Sequence, residues 1–275
     1  EKSVKQDQNN PPIQIIKEYN QWWPPLSYGE EPSSILWHLE QPFTQLAMAR
    51  DYVWNKINKK EISGKIRIAH IDTGYNKHSI IDNNPNLRTD LARSFVKGEN
   101  PDSAIDLPGG MDGHGLGTLA LLAGGHIPDV GYMGAIPFME IVPIRIFDTP
   151  VILDSATLAK AIEYAISIDC EVICGAMAGK PDQKMAEVIN KAYEQGIVMV
   201  FAAGNHFAGG IASVGPSVIM YPARYPRVIA ACGACYNQLP YNFDTQPKQD
   251  KKPNTPKSNE MESNFGPEEA MHYAL

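Results

Sequence analysis

The chain has 275 residues, enough to bury a full core, and its 43% hydrophobic, 20% charged and 9% aromatic residues describe a globular domain rather than a disordered or fibrous one. A formal net charge of -7 without any basic cluster excludes a nucleic-acid backbone as the partner. The longest apolar runs, such as 196–203, fall far short of the roughly 20 residues that cross a bilayer, so no membrane span is expected.

Residues 1–33 are rich in Asn, Gln and Pro, and Trp22-Trp23-Pro24-Pro25 breaks any regular element, which predicts an extended N-terminal arm. The first ten residues are polar, lack the apolar core of a signal peptide and do not begin with Met, so the natural start is expected to have been removed. One domain is expected over 34–275. Within 35–57 the spacing of Leu46, Ala49, Val53 and Ile57 is helical and predicts a surface helix leading into the first strand.

Short apolar runs follow at 66–71, 140–146, 171–174, 197–203 and 228–233. They are unbroken rather than alternating, as in parallel strands covered on both faces. Between them, Leu158, Ala161, Ile162 and Ala165 form a helical stripe over 155–168, and Met185, Val188, Ile189 and Ala192 form another over 182–195. This alternation predicts an α/β fold: a doubly wound, mainly parallel sheet with helices on both faces. The polar, Pro-containing stretch near 236–262 interrupts the rhythm and reads as an inserted surface loop.

Four cysteines, Cys170, Cys174, Cys232 and Cys235, raise the question of a metal or a disulfide. Along a strand, Cys170 and Cys174 would lie roughly 13 Å apart at the α-carbons, beyond the ~7 Å that a disulfide spans. No His lies near Cys232 or Cys235. All four are therefore read as buried structural thiols, with no zinc site.

Three polar residues stand where apolar elements end or begin. Asp72 closes the run 66–71 before a Thr-Gly turn, at the carboxyl edge of a parallel sheet, where open α/β sheets place their sites. His114 lies among Gly113, Gly115 and Gly117 ahead of an apolar helix; small neighbours let backbone approach and leave the imidazole open, and the helix dipole there disfavours an added proton, as a general base requires. A dinucleotide-binding glycine pattern is excluded, because it would need Gly at position 118, which is Thr. Asn205 closes the run 197–203 after Gly204, where its amide could donate to a developing oxyanion. Each residue alone is an ordinary turn former; falling together at neighbouring element ends, they suggest a site.

The blocks Ile71-Asp72-Thr73-Gly74, Asp112-Gly113-His114-Gly115 and Ala202-Ala203-Gly204-Asn205 resemble those of subtilisin-like serine proteases. The resemblance extends over about 37–275, through Gly131-Tyr132-Met133-Gly134-Ala135-Ile136-Pro137, Tyr221-Pro222-Ala223-Arg224-Tyr225-Pro226 and Ser263-Asn264-Phe265-Gly266. It implies a polypeptide substrate, Asp72 orienting His114, His114 as general base and Asn205 as oxyanion donor. Ala176-Met177-Ala178 stands where the family has the Ser-Leu-Gly that lines the substrate cleft, so an extra methyl at Ala178 is expected to narrow it.

The family's Gly-Thr-Ser nucleophile block does not occur among the 275 residues, and Ser213, Ser217, Ser258 and Ser263 all lack its context. The fold is therefore expected to be incomplete at its C-terminal end, with the serine on a following segment or a partner chain, and this chain alone to be inactive. The alternative is a catalytically silent scaffold that binds or regulates. No cofactor is implied; the structural calcium of such proteins has no distinctive acidic loop here. Export from the cell follows from the resemblance alone.

Overall fold

The computed structural model describes Leu39 and residues 46–62, 65–108, 113–127, 131–148, 151–152, 155–204 and 219–232. The expected arm at 1–33, the loop near 236–262, Asn205 and Cys235 lie outside the described residues.

Helix α1 (Leu46–Asn58) lies on the surface, as its spacing predicts, with no fully buried residue. Its apolar stripe does little of the docking: Val53 and Ile57 are half-buried, while Leu46 and Ala49 are exposed. Polar and aromatic contacts hold it instead. Arg50 donates to the Gly134 carbonyl at 3.2 Å, and the Trp54 and Phe138 rings lie 5.3 Å apart.

Strand β1 (Arg67–Asp72) is central to a six-stranded parallel sheet. Along the chain come helix α2 (Ser79–Asp82), strand β2 (Arg93–Ser94), helix α3 (His114–Ala123), the hairpin strands β3 (His126–Ile127) and β4 (Gly131–Tyr132), and strand β5 (Glu140–Arg145). Strand β6 (Val151–Ile152), helix α4 (Ser155–Ser167), strands β7 (Val172–Gly175) and β8 (Ala178–Gly179), helix α5 (Gln183–Glu194), strand β9 (Val198–Ala202) and strand β10 (Ile229–Ala231) follow. The main sheet runs in the order β10-β9-β7-β1-β5-β2, and β6 pairs separately with β8.

The two faces of the sheet carry different cores because side chains alternate along each strand. Ala69 and Ile71 of β1, Val142 and Ile144 of β5 and Phe201 of β9 pack with the buried stripes of α4 and α5. Ile68 of β1 and Ile141 of β5 face the other way, against Leu119 and Ala123 of α3. Both faces are thus mainly apolar, which explains the apolar runs in the sequence, with buried His70, Asp72 and Arg145 among the exceptions. The predicted stripes of α4 and α5 are all buried. Helix α5 is capped at its start by the Asp182 carboxylate, which accepts from the Met185 N–H at 3.0 Å.

Cys170, Cys174 and Cys232 are free thiols. Cys170 is buried, and burial pushes its thiol up to about 12. Cys174 and Cys232 correct the expectation of uniform burial: Cys174 is half-buried, and Cys232 is exposed just past β10, the outermost strand of the described sheet, whose own residues are at most partly covered.

Candidate active site

Asp72 and His114 meet at the carboxyl edge of the sheet. Asp72 is the last residue of β1 and faces the α3 side, two strand positions from His70 and four from Ile68. His114 is the first residue of α3. His114 Nδ1 lies 2.6 Å from Asp72 Oδ1. Asp72 is fully buried and His114 only 4% exposed.

The His114 burial departs from the open imidazole expected of a Gly-flanked helix start. The glycines bring the helix too close for that. A Cβ on Gly115 would stand 2.0 Å from the Gly74 carbonyl oxygen, so the first turn of α3 rests directly on the turn after Asp72. Gly74 itself has φ +109, and a Cβ there would also meet the Ala104 carbonyl oxygen at 2.5 Å.

A buried polar frame holds these two turns together. The Thr73 hydroxyl accepts from the Gly115 N–H at 3.0 Å and donates to Asp106 Oδ2 at 3.2 Å, and the same carboxylate oxygen accepts from the Gly113 N–H at 2.9 Å. Arg145, the cross-strand partner of Asp72, is fully buried. It donates to Asp106 Oδ1 at 2.9 Å, to both Glu99 oxygens at 2.8 and 2.9 Å, and to the Thr73 carbonyl. Arg145→Met is expected to destabilise the protein by about 3–5 kcal/mol, because buried Asp106 loses its countercharge; a denaturant midpoint unchanged from wild type would remove this role.

Asp72 stays ionised. Burial alone would push its carboxyl up, but the His114 charge and hydrogen bond, the nearby His70 and the Thr73 N–H at 2.7 Å together hold it below the usual carboxylate range. An ionised carboxylate only accepts, so the proton between Asp72 and His114 sits on Nδ1. Neutral His114 therefore carries its lone pair on Nε2.

Sequence reasoning missed His70 and Thr118, both buried beside Asp72. Thr118 donates to Asp72 Oδ2 at 3.0 Å, and His70 Nε2 lies 2.8 Å from the Thr118 hydroxyl oxygen. The signal was present: His70 precedes Asp72 by two on a strand and Thr118 follows His114 by four on a helix, so each shares its partner's face. Arg145 and Asp106 had no such local signal.

Burial lowers the His70 imidazole from its ordinary 6.5, the Asp72 charge opposes that and His114 adds to it. The unfolded chain therefore binds a proton that the folded state refuses. The stability this contributes is complete above about 6.5 and is lost as the pH falls below it. Denaturant midpoints are expected to fall over this range for the wild type and to stay flatter for His70→Gln; parallel pH profiles would contradict it.

The substrate-lining residues expected from the sequence divide. Met177 is buried in the core shared with α4 and α5, so only its backbone can face a ligand. Ala176 and Ala178 are half-buried. A Cβ on Gly204 would lie 3.8 Å from the Ala178 Cβ, which brings the end of β9 beside β8. Among the described residues no cluster of three or more His, Cys, Asp or Glu could hold a metal, and no helix is long and apolar enough to cross a membrane.

The Subtilase family model matches residues 63–268. The chain is similar to the thermostable alkaline protease of Halalkalibacterium halodurans, with 29% identity over 182 residues covering 65% of this chain and 44% of that protein. It is also similar to subtilisin E of Bacillus subtilis, with 30% identity over 168 residues covering 60% of this chain and 40% of that protein. Similarity to fervidolysin of Fervidobacterium pennivorans is 29% over 225 residues, covering 76% and 28%. The chain thus spans about half the length, or less, of these curated relatives. In fold it resembles MycP1 with its N-terminal propeptide removed, at a TM-score of 0.50 and 24% identity over 74% of this chain and 66% of that one.

Proposed function

The chain belongs to the subtilase family, and from that premise we propose that it carries the acid and base of a serine endopeptidase whose nucleophile is supplied from outside these 275 residues. The single observation that supports this most is the buried 2.6 Å contact between Asp72 and His114 Nδ1. It makes Nε2 the basic ring nitrogen, the atom that would take a serine proton and return it to the leaving amine. Asp72 fixes the tautomer and stabilises the imidazolium. Asn205 would donate to the tetrahedral oxyanion, and backbone at Ala176, Met177 and Ala178 would pair with a polypeptide substrate. Export from the cell is part of the same reading and rests on family likeness.

A serine-directed fluorophosphonate, applied to the protein from its natural source and followed by peptide mapping, tests the reading. Label is expected on a serine in a Gly-Thr-Ser segment, with His114→Ala abolishing it. Label on Ser213, Ser217, Ser258 or Ser263 would misplace the nucleophile. No label and no peptide hydrolysis would leave a silent binding scaffold. In the labelled enzyme, Asn205→Ala is expected to lower kcat by about 10²–10³ with KM little changed; an effect confined to KM would remove the oxyanion role.

A further inference from the structure

His70 is buried, 2% exposed, on the strand that delivers Asp72, and the acid–base chemistry above does not use it. Its Nε2 lies 2.8 Å from the Thr118 hydroxyl oxygen and 3.9 Å from Asp72 Oδ2. We propose that His70 is a positioning residue for the Asp72–His114 pair, acting through a hydrogen-bond chain of fixed direction in which His70 Nε2–H donates to Thr118 Oγ1 and Thr118 Oγ1–H donates to Asp72 Oδ2.

The direction follows from counting protons. The Thr118 hydroxyl has one to give, and its oxygen stands near Asp72 Oδ2 at 3.0 Å, the Gly115 carbonyl at 3.2 Å and the His114 carbonyl at 3.4 Å. The carboxylate is the strongest acceptor of the three and lies nearest, and it has no proton of its own to offer. If the hydroxyl donated elsewhere, two oxygen lone pairs would face each other across 3.0 Å in a site without water's screening. With the proton committed to Asp72, the short contact to His70 requires hydrogen on His70 Nε2. Neutral His70 is therefore the Nε2–H tautomer.

The consequence falls on Asp72. Its Oδ2 is taken by Thr118, while Oδ1 accepts from the Thr73 N–H at 2.7 Å and faces His114 Nδ1 at 2.6 Å. Donors on both oxygens stop the carboxylate from rotating, so Oδ1 stays aimed at His114. His70 sets the Thr118 rotor that completes this clamp. A histidine buried only to fill space would satisfy itself equally well with either tautomer and would leave His114 indifferent to its replacement.

The role in catalysis rests on the protease reading; the direction of the chain does not, and both can be read separately. Long-range ¹H–¹⁵N correlation of the imidazoles in the uniformly labelled chain at pH 8 reports each tautomer without turnover. Hydrogen on His70 Nε2 and a bare Nδ1 are expected, together with a strongly downfield His114 Nδ1–H. Thr118→Val and His70→Phe should both move that His114 resonance upfield. Thr118→Ser, which keeps the hydroxyl, and His70→Gln, whose amide can donate in place of Nε2–H, should return it.

Hydrogen on His70 Nδ1 in the wild type would overturn the proposal, and that measurement needs no variant to fold. So would an unmoved His114 resonance in folded His70→Phe. In the active protein, His70→Phe should lower kcat about ten-fold at unchanged KM, the worth of one hydrogen bond, with His70→Gln near wild type. The expected tautomer in a protein that hydrolyses nothing would sink the protease reading and leave this chain of hydrogen bonds standing.

Discussion

On the proposed protease reading, replacing His114 with alanine is expected to lower peptide-bond turnover of the complete protein by about 10⁶-fold, the magnitude known for the equivalent loss in subtilisin. The reason is geometric. His114 is the group whose Nδ1 is tied to a buried carboxylate at 2.6 Å. That tie makes Nε2 the basic nitrogen, and on the proposed reading its removal would take away both the acceptor of the serine proton and the donor to the leaving amine. Affinity should change little, because on this reading the imidazole would serve proton transfer rather than backbone pairing with the substrate. Single-turnover and steady-state kinetics on a peptide ester and a peptide amide would measure it. A variant that retains turnover within a hundred-fold would show that the base lies elsewhere.

Asp72→Asn is expected to cost about 10⁴-fold in kcat, with the fold intact. Size and shape are nearly unchanged, but the negative charge is gone. When His114 takes a proton, the imidazolium is then left in a buried site without a countercharge. One orientation of the new amide also donates toward Nδ1 and forces hydrogen onto Nε2, which removes the base outright. The other orientation points the amide hydrogens at Thr118 and disturbs the hydroxyl held there. Activity within ten-fold of wild type, with an unchanged denaturant midpoint, would deny Asp72 its orienting role.

The two largest effects concern residues that were legible in the sequence, and the reason is local. Asp72 ends an apolar run and precedes Thr-Gly; His114 sits in a glycine cluster before an apolar helix. Both signals are written within a few residues. The strands were legible for a similar reason: β1, β5, β7, β9 and β10 fall within the predicted apolar runs to within a residue or two, since each is built mainly from consecutive apolar residues. Helices α4 and α5 were legible through stripes that the structure buries in full.

Other features were legible only in part. Helix α1 was found by its spacing, but its attachment through Arg50 and Trp54 was not, because an exposed helix can be held by a few long side chains from either end of their reach. His114 was found, but its burial was not, because the approach of Gly115 to Gly74 joins segments forty residues apart. His70 and Thr118 were within reach of simple periodicity and became significant only once Asp72 and His114 were seen to share a face.

The sequence by itself determined the βα alternation, the parallel sheet and the two residues that meet at its edge, because apolar period, turn chemistry and glycine placement act over short stretches of chain. Only the tertiary structure decided that Arg145 lies opposite Asp72, that Asp106 ties two turns together and that Thr118 closes on the far carboxylate oxygen. Those pairings depend on the register between strands and on how a helix settles against a sheet. Both are set by the packing of the whole core, so no local pattern encodes them.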